Sequence, residues 1–139
     1  MTRYVLDASV LVKWALPERG EPETRQALEL LEGFVDQRVQ LIEPPHWLAE
    51  VAAVLARLAP GRAAEIVARL HEMEIPVFCD AAAYELGVGL AVRSGHHLFD
   101  TLYHAVALTS PDATLVTADD AYFRKALSEG RIRRLADVS

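Results

Sequence analysis

The sequence predicts a single α/β domain, an α/β/α sandwich around a central, mainly parallel sheet of about five strands. Three observations carry this. Short apolar runs alternate with longer stretches of helical spacing, as in "YVL" before "ASVLVKWAL". Proline and glycine clusters such as "EPP", "PGR" and "SPD" separate them. Acids follow several of the apolar runs, at the strand ends where open parallel sheets bind ligands.

Residues 3–7 read as a buried strand that closes on Asp7, with a helix starting at Ala8. The polar "PERGEPET" loop is too short to divide domains. Residues 23–37 carry Ala27, Leu30, Leu31 and Phe34 at helical spacing. "VQLIEP" is a second strand, stopped by Pro44 and Pro45. Helix follows over residues 46–58, and again over 62–74 with Ile66, Val67 and Leu70 as its apolar stripe. "IPVFC" reads as a third strand, and residues 80–93 as an alanine-rich helix ended by "SGHH". Residues 99–109 form another helix and "ATLVTA" a fourth strand. Residues 120–128 are helical, and "RIRRL" is a short last strand. Strands alternating with helices imply parallel strands joined by right-handed crossovers, with helices on both faces.

Composition narrows the function classes. The chain has 139 residues, 52% hydrophobic and 24% charged, which suits one globular domain spanning residues 1–139. Its one cysteine, Cys79, excludes an internal disulfide and a thiolate metal cluster. That usage fits a cytoplasmic location. Asp7 and Lys13 interrupt the N-terminal apolar run, so no signal peptide is expected there. "TLYHAVALTSP" is too short to span a bilayer. The net charge of −6 argues against a broad basic grip on nucleic acid, but not against a nuclease that reaches phosphate through a cation. The stretch "RKALSEGRIRR" is locally basic, and Arg124 and Lys125 within it are candidate phosphate contacts.

Four acids stand out: Asp7, Glu50, Asp100 and Asp119. Glu50, in "PPHWLAEVAAVL", and Asp100, in "FDTLYHAVAL", are flanked by apolar residues, so each lies near a buried face. Unpartnered carboxylates there are costly, and clustered ones repel. A divalent cation relieves both difficulties, and an all-oxygen ligand set favours magnesium or manganese over zinc. Taken singly, Asp7, Asp100 and Asp119 also suit helix N-caps, and Asp80 most simply caps its own helix.

Together "YVLDASVLVKW", "EPPHWLAEVAAVL", "LFDTLYHAVAL" and "LVTADDAYFRKAL", in this order and at this length, resemble a PIN domain, and more narrowly a VapC-type toxin ribonuclease. The resemblance covers nearly the whole chain. It implies a magnesium- or manganese-dependent endoribonuclease with Asp7, Glu50, Asp100 and Asp119 as catalytic residues. Asp7, Asp100 and Asp119 would hold the metal, supported by Ser9 and Thr117. It also implies a homodimer and a small antitoxin partner of the VapB type. The family's frequent asparagine three residues after the helical glutamate is here Ala53, and His104 stands where an apolar residue is usual. His104 is expected to be a core or peripheral residue, His46 and His71 to be on helix surfaces, and Trp14 and Trp47 to be core anchors. A haloacid-dehalogenase-like phosphatase wants a second aspartate two residues after the first, a position Ser9 occupies. A catalytically degenerate binding module is the remaining alternative.

Overall fold

The computed structural model describes residues 1–138. Its four-stranded sheet has the order β2-β1-β3-β4, with every pairing parallel. The strands are β1 (Thr2–Leu6), β2 (Val39–Leu41), β3 (Ala113–Thr117) and β4 (Ile132–Arg134). Among the described residues, seven α-helices cover it: α1 (Ala8–Ala15), α2 (Thr24–Val35), α3 (Trp47–Leu58), α4 (Ala63–Glu72), α5 (Ala81–Ser94), α6 (Leu98–Thr109) and α7 (Asp120–Ala126). The result is the α/β/α sandwich of a single domain.

Strands buried on both faces read as apolar runs. Tyr4, Val5 and Leu6 of β1 are all buried, as are Leu115, Val116 and Thr117 of β3. α6 packs on both of these central strands and carries α5 on its outer side. Gly87 allows that close approach: a Cβ there would stand 3.2 Å from methyl groups of Leu98 and Leu102. Thr101 fastens the pair by donating its hydroxyl to the Gly87 carbonyl at 2.8 Å. α1 packs on β1 and β3, and α2 on β2. Both tryptophans are core anchors, as expected; the Trp14 indole donates to the Ala27 carbonyl at 2.6 Å.

The expected third strand, "IPVFC", is not a strand. It makes one isolated parallel bridge, Glu43 to Val77. The Glu43 amide donates to the Pro76 carbonyl (2.9 Å) and the Phe78 amide to the Glu43 carbonyl (3.0 Å). Pro76 has no amide to donate, and Pro44 and Pro45 end β2 before a longer ladder can form. β2 is shorter than predicted for the same reason. Other element ends shift by a few residues.

The sheet order places the functional crevice. From β1 the chain moves outward to β2, then returns to build β3 and β4 on β1's other side. The topological switch lies between β1 and β3, at their carboxyl ends. Asp7 follows β1 directly, and Asp119 lies two residues beyond the end of β3.

Candidate active site

Each of the four acids stands at a helix N-terminus. Asp7 is the N-cap of α1 and Asp119 the N-cap of α7. Glu50 lies in the first turn of α3, not mid-helix, and Asp100 in the first turn of α6. Unpaired amides and the helix dipole favour negative charge there. The capping expected of Asp7 and Asp119 taken singly is real. The Ser9 amide donates to Asp7 Oδ1 (2.8 Å) and the Tyr122 amide to Asp119 Oδ1 (3.0 Å). Capping and clustering coincide because the caps occur where the sheet's carboxyl edge faces the crevice.

Ser9 and Thr117 tie the two central strands together through Asp7. The Ala118 amide donates to Ser9 Oγ at 3.0 Å, and the Ser9 hydroxyl donates to Asp7 Oδ1. On the other oxygen, the Thr117 hydroxyl donates to Asp7 Oδ2 at 2.6 Å. Thr117 Oγ1 in turn accepts the Asp119 amide at 3.0 Å. The orientation of the Asp7 carboxylate is therefore set by the pairing of β1 with β3.

Burial pushes the Asp7 pKa up, donors from Ser9 and Thr117 pull it back, and Asp119 adds repulsion. Burial also raises Asp100, with Asp119 adding to the effect, while His96, His97 and His46 oppose it. Glu50 is pushed up to about 7 by burial, the Tyr103 hydroxyl opposing and Asp100 and Asp7 reinforcing. Acids from four separate segments therefore share one electrostatic neighbourhood. Among the described residues, no three His, Cys, Asp or Glu side chains stand close enough together to hold a metal ion as they are oriented. The bare carboxylates repel one another, and several oxygens are committed to hydrogen bonds within the protein.

Two supporting residues escape a reading of the acids alone. Tyr103 donates its hydroxyl to Glu50 Oε1 at 3.0 Å. It lies three residues after Asp100 and so on the same helix face, which is the sequence signal for it. Ala53 is exposed, so in this chain Tyr103 supplies the polar contact to Glu50. Tyr103→Phe should remove that donor, move Glu50's titration upward and lower activity about tenfold; a pH–rate profile reads both. Glu43, two residues beyond the end of β2, is 0% exposed. Its Oε2 accepts the Leu6 amide at 2.8 Å, taking the place of the carbonyl that β2 would have offered had it continued. Burial raises its pKa well above the ordinary carboxylate range. Nothing in the local sequence announces this partner, 37 residues away.

His104 does not reach the acids. It is fully buried, with Nε2 on the Gly130 carbonyl and Nδ1 on the Tyr122 hydroxyl, both at 2.8 Å. A carbonyl can only accept, so Nε2 carries the proton and Nδ1 accepts from Tyr122. His46, expected on a helix surface, is instead half-buried at the start of α3. Its ring packs between Phe99 and Tyr103, and its Nε2 donates to the Phe99 carbonyl at 2.8 Å. Asp80 caps α5, as expected.

Within the basic C-terminal stretch, Arg131 binds the Ala107 and Ser110 carbonyls at the end of α6. Arg133 reaches the Asp137 carbonyl, and Arg134 pairs with Asp137 and lies over the Phe123 ring. Arg124 and Lys125 are exposed on α7 and make no salt bridge among the described residues. A cavity of about 620 Å³ lies at the sheet's opposite edge against Met1, Arg3 and β2, and none of the four acids lines it.

Among the described residues, no helix is long and apolar enough to cross a membrane. No curated protein matches this chain. The family model for the PIN domain matches residues 4–127, from the first strand through α7 and including all four acids. With that match extending over nearly the whole sequence, the chain belongs to the PIN domain family.

Proposed function

We propose that this protein is an endoribonuclease dependent on magnesium or manganese, with Asp7, Glu50, Asp100 and Asp119 as its catalytic acids. PIN domains are generally nucleases that cleave RNA. The observation that carries the proposal is the gathering of four carboxylates, each at a helix N-terminus, around the switch point between β1 and β3.

The donor set fits a hard divalent cation. It is all oxygen, and repulsion from neighbouring acids adds to burial in raising the pKa of Asp7, Glu50 and Asp100, a repulsion that a cation relieves. Asp7, Asp100 and Asp119 would hold the ion. When bound, it supplies Lewis-acid neutralisation of the phosphodiester and a more acidic water. Ser9 and Thr117 hold Asp7 in one orientation. Tyr103 holds Glu50, whose carboxyl titrates near neutrality and so can exchange a proton at the attacking or leaving oxygen. Arg124 and Lys125 face solvent on α7 and serve as contacts to the RNA backbone.

The protein should cleave single-stranded RNA with magnesium or manganese and stop with EDTA. It should also lose activity in Asp7→Asn and Asp100→Asn; cleavage persisting in both variants rejects the reading. Glu50 sets the expected pH dependence. Its pKa in the folded protein is raised, so the carboxyl is neutral below about 7 and charged above it. kcat/KM should rise with pH through that region and level off above it, and Glu50→Gln should remove the limb.

The finer role proposed is that of a toxin: a homodimer that arrests growth by cutting tRNA or rRNA and is neutralised by a small antitoxin of the VapB type. Growth arrest on induced expression, relieved by a co-expressed partner, tests it. The second reading, a degenerate RNA- or protein-binding module, draws on the lack of a ready three-acid cage among the described residues. Calorimetry separates the two: no magnesium or manganese uptake, with Glu50→Gln unchanged, favours the module.

A further inference from the structure

We infer that the exposed ring of Phe99, with His97 beside it, is a stacking site for an unpaired base of single-stranded RNA, directly beside the acidic site. The inference rests on the nuclease reading above and adds the residue that receives a base of that substrate.

Phe99 immediately precedes Asp100 in the first turn of α6, and 51% of it is open to solvent. The ring is nonetheless held. His46 packs against it at 5.1 Å between ring centres and His97 meets it edge-on at 4.6 Å. His46 also packs on Tyr103 at 4.8 Å, and Tyr103 is bonded to Glu50. The His46 Nε2 bond to the Phe99 carbonyl clips the start of α3 to the start of α6. A row of rings thus runs from the buried hydroxyl beside Glu50 out to an exposed aromatic surface beside Asp100. The His97 ring is fixed as well: its Nδ1 accepts the Phe99 amide at 3.0 Å, and the rest of the residue is exposed.

The chemistry of this rim suits a nucleobase. The chain is acidic, and in its basic C-terminal stretch three of the arginines are engaged within the fold. Affinity for RNA therefore needs a contribution that does not depend on backbone charge. Stacking on a pre-positioned aromatic supplies one, and every base has a face to offer. A base inside a duplex already has both faces covered, so the occupant is an unpaired base in a loop or single strand.

The test measures binding of fluorescently labelled, single-stranded oligoribonucleotides by anisotropy in calcium, with cleavage in magnesium measured separately. Phe99→Ala and Phe99→Leu should weaken binding about tenfold, and Phe99→Trp should retain it. One abasic position in the oligonucleotide should cost the wild type the same factor and cost Phe99→Ala nothing. In cleavage, KM should rise with kcat unchanged. Phe99→Leu keeps apolar bulk, so it decides the matter even if Phe99→Ala folds poorly. Binding by Phe99→Leu within twofold of wild type overturns the inference, as does an effect confined to self-association or to a protein partner. Wild-type protein that binds RNA through Phe99 but never cleaves it overturns the nuclease reading and leaves the stacking site. Cleavage with Phe99-independent binding does the reverse. Absence of any RNA binding by the wild type overturns the stacking site.

Discussion

Asp7→Asn should reduce RNA cleavage by more than about a hundredfold while making the fold more stable at neutral pH. Residues that merely support a metal ligand cost about 10–100-fold when changed, and Asp7 is proposed as a ligand itself. Burial raises the Asp7 pKa in the folded state, with Asp119 adding to it. A carboxyl raised in this way binds its proton more tightly folded than unfolded. Its contribution to stability is therefore fully present below the unfolded value and is lost as pH rises through the folded one. Asparagine removes the charge and keeps the cap, since Asn and Asp are equivalent N-caps. Its oxygen can accept from Ser9 and its amide can donate to Thr117 Oγ1. Thermal melts in EDTA should show a higher Tm for the variant at pH 7 and a flatter dependence of Tm on pH. A lower Tm with activity retained would refute both halves. The combination is the ordinary trade between a charged site and the stability of the fold around it.

Glu43→Ala should destabilise the protein by about 3 kcal/mol, and Glu43→Gln should not. The alanine variant leaves the buried Leu6 amide without its partner, worth about 1–3 kcal/mol, and opens a cavity in a site with no exposure. Glutamine still accepts that amide. The sign of the pH dependence is the same as for Asp7: the folded pKa of Glu43 lies well above its ordinary value, with burial the main cause, the Leu6 amide opposing and Asp7 adding. Wild-type stability should therefore decline as pH rises above the ordinary carboxylate range, and Glu43→Gln should lessen that slope. Urea denaturation of the three proteins from pH 4 to 8 measures both effects. Equal stability of Glu43→Ala and wild type would show that the Leu6 amide finds another acceptor. Because Leu6 immediately precedes Asp7, the alanine variant should also lower activity through the position of β1's end.

Much of this was legible in the residues. Alternation of apolar runs with helical stretches predicts the parallel sandwich, because period and turn chemistry are local properties. The four acids were legible as well, since each follows an apolar run or interrupts an apolar helix face. The "IPVFC" segment was misread because strand propensity says nothing about whether a neighbouring strand continues far enough to pair. His46 was misread because the ring that covers it, Phe99, comes 53 residues later.

The sequence by itself determined the class of fold, the approximate places of the seven helices and four strands described, and which acids to propose for the site, all of which depend on residue type and short-range spacing. The resemblance also implied Ser9 and Thr117 as support; only the tertiary structure decided the other supporting groups and the bonds each one makes. Thr117 on Asp7, Tyr103 on Glu50, Glu43 on the Leu6 amide and His46 under Phe99 join residues far apart in the chain. A hydrogen bond between side chains acts over about 3 Å, and whether two groups come that close is settled by the packing of strands and helices. The same packing chose the partners of His104, Tyr122 and Gly130, in the core position expected of it.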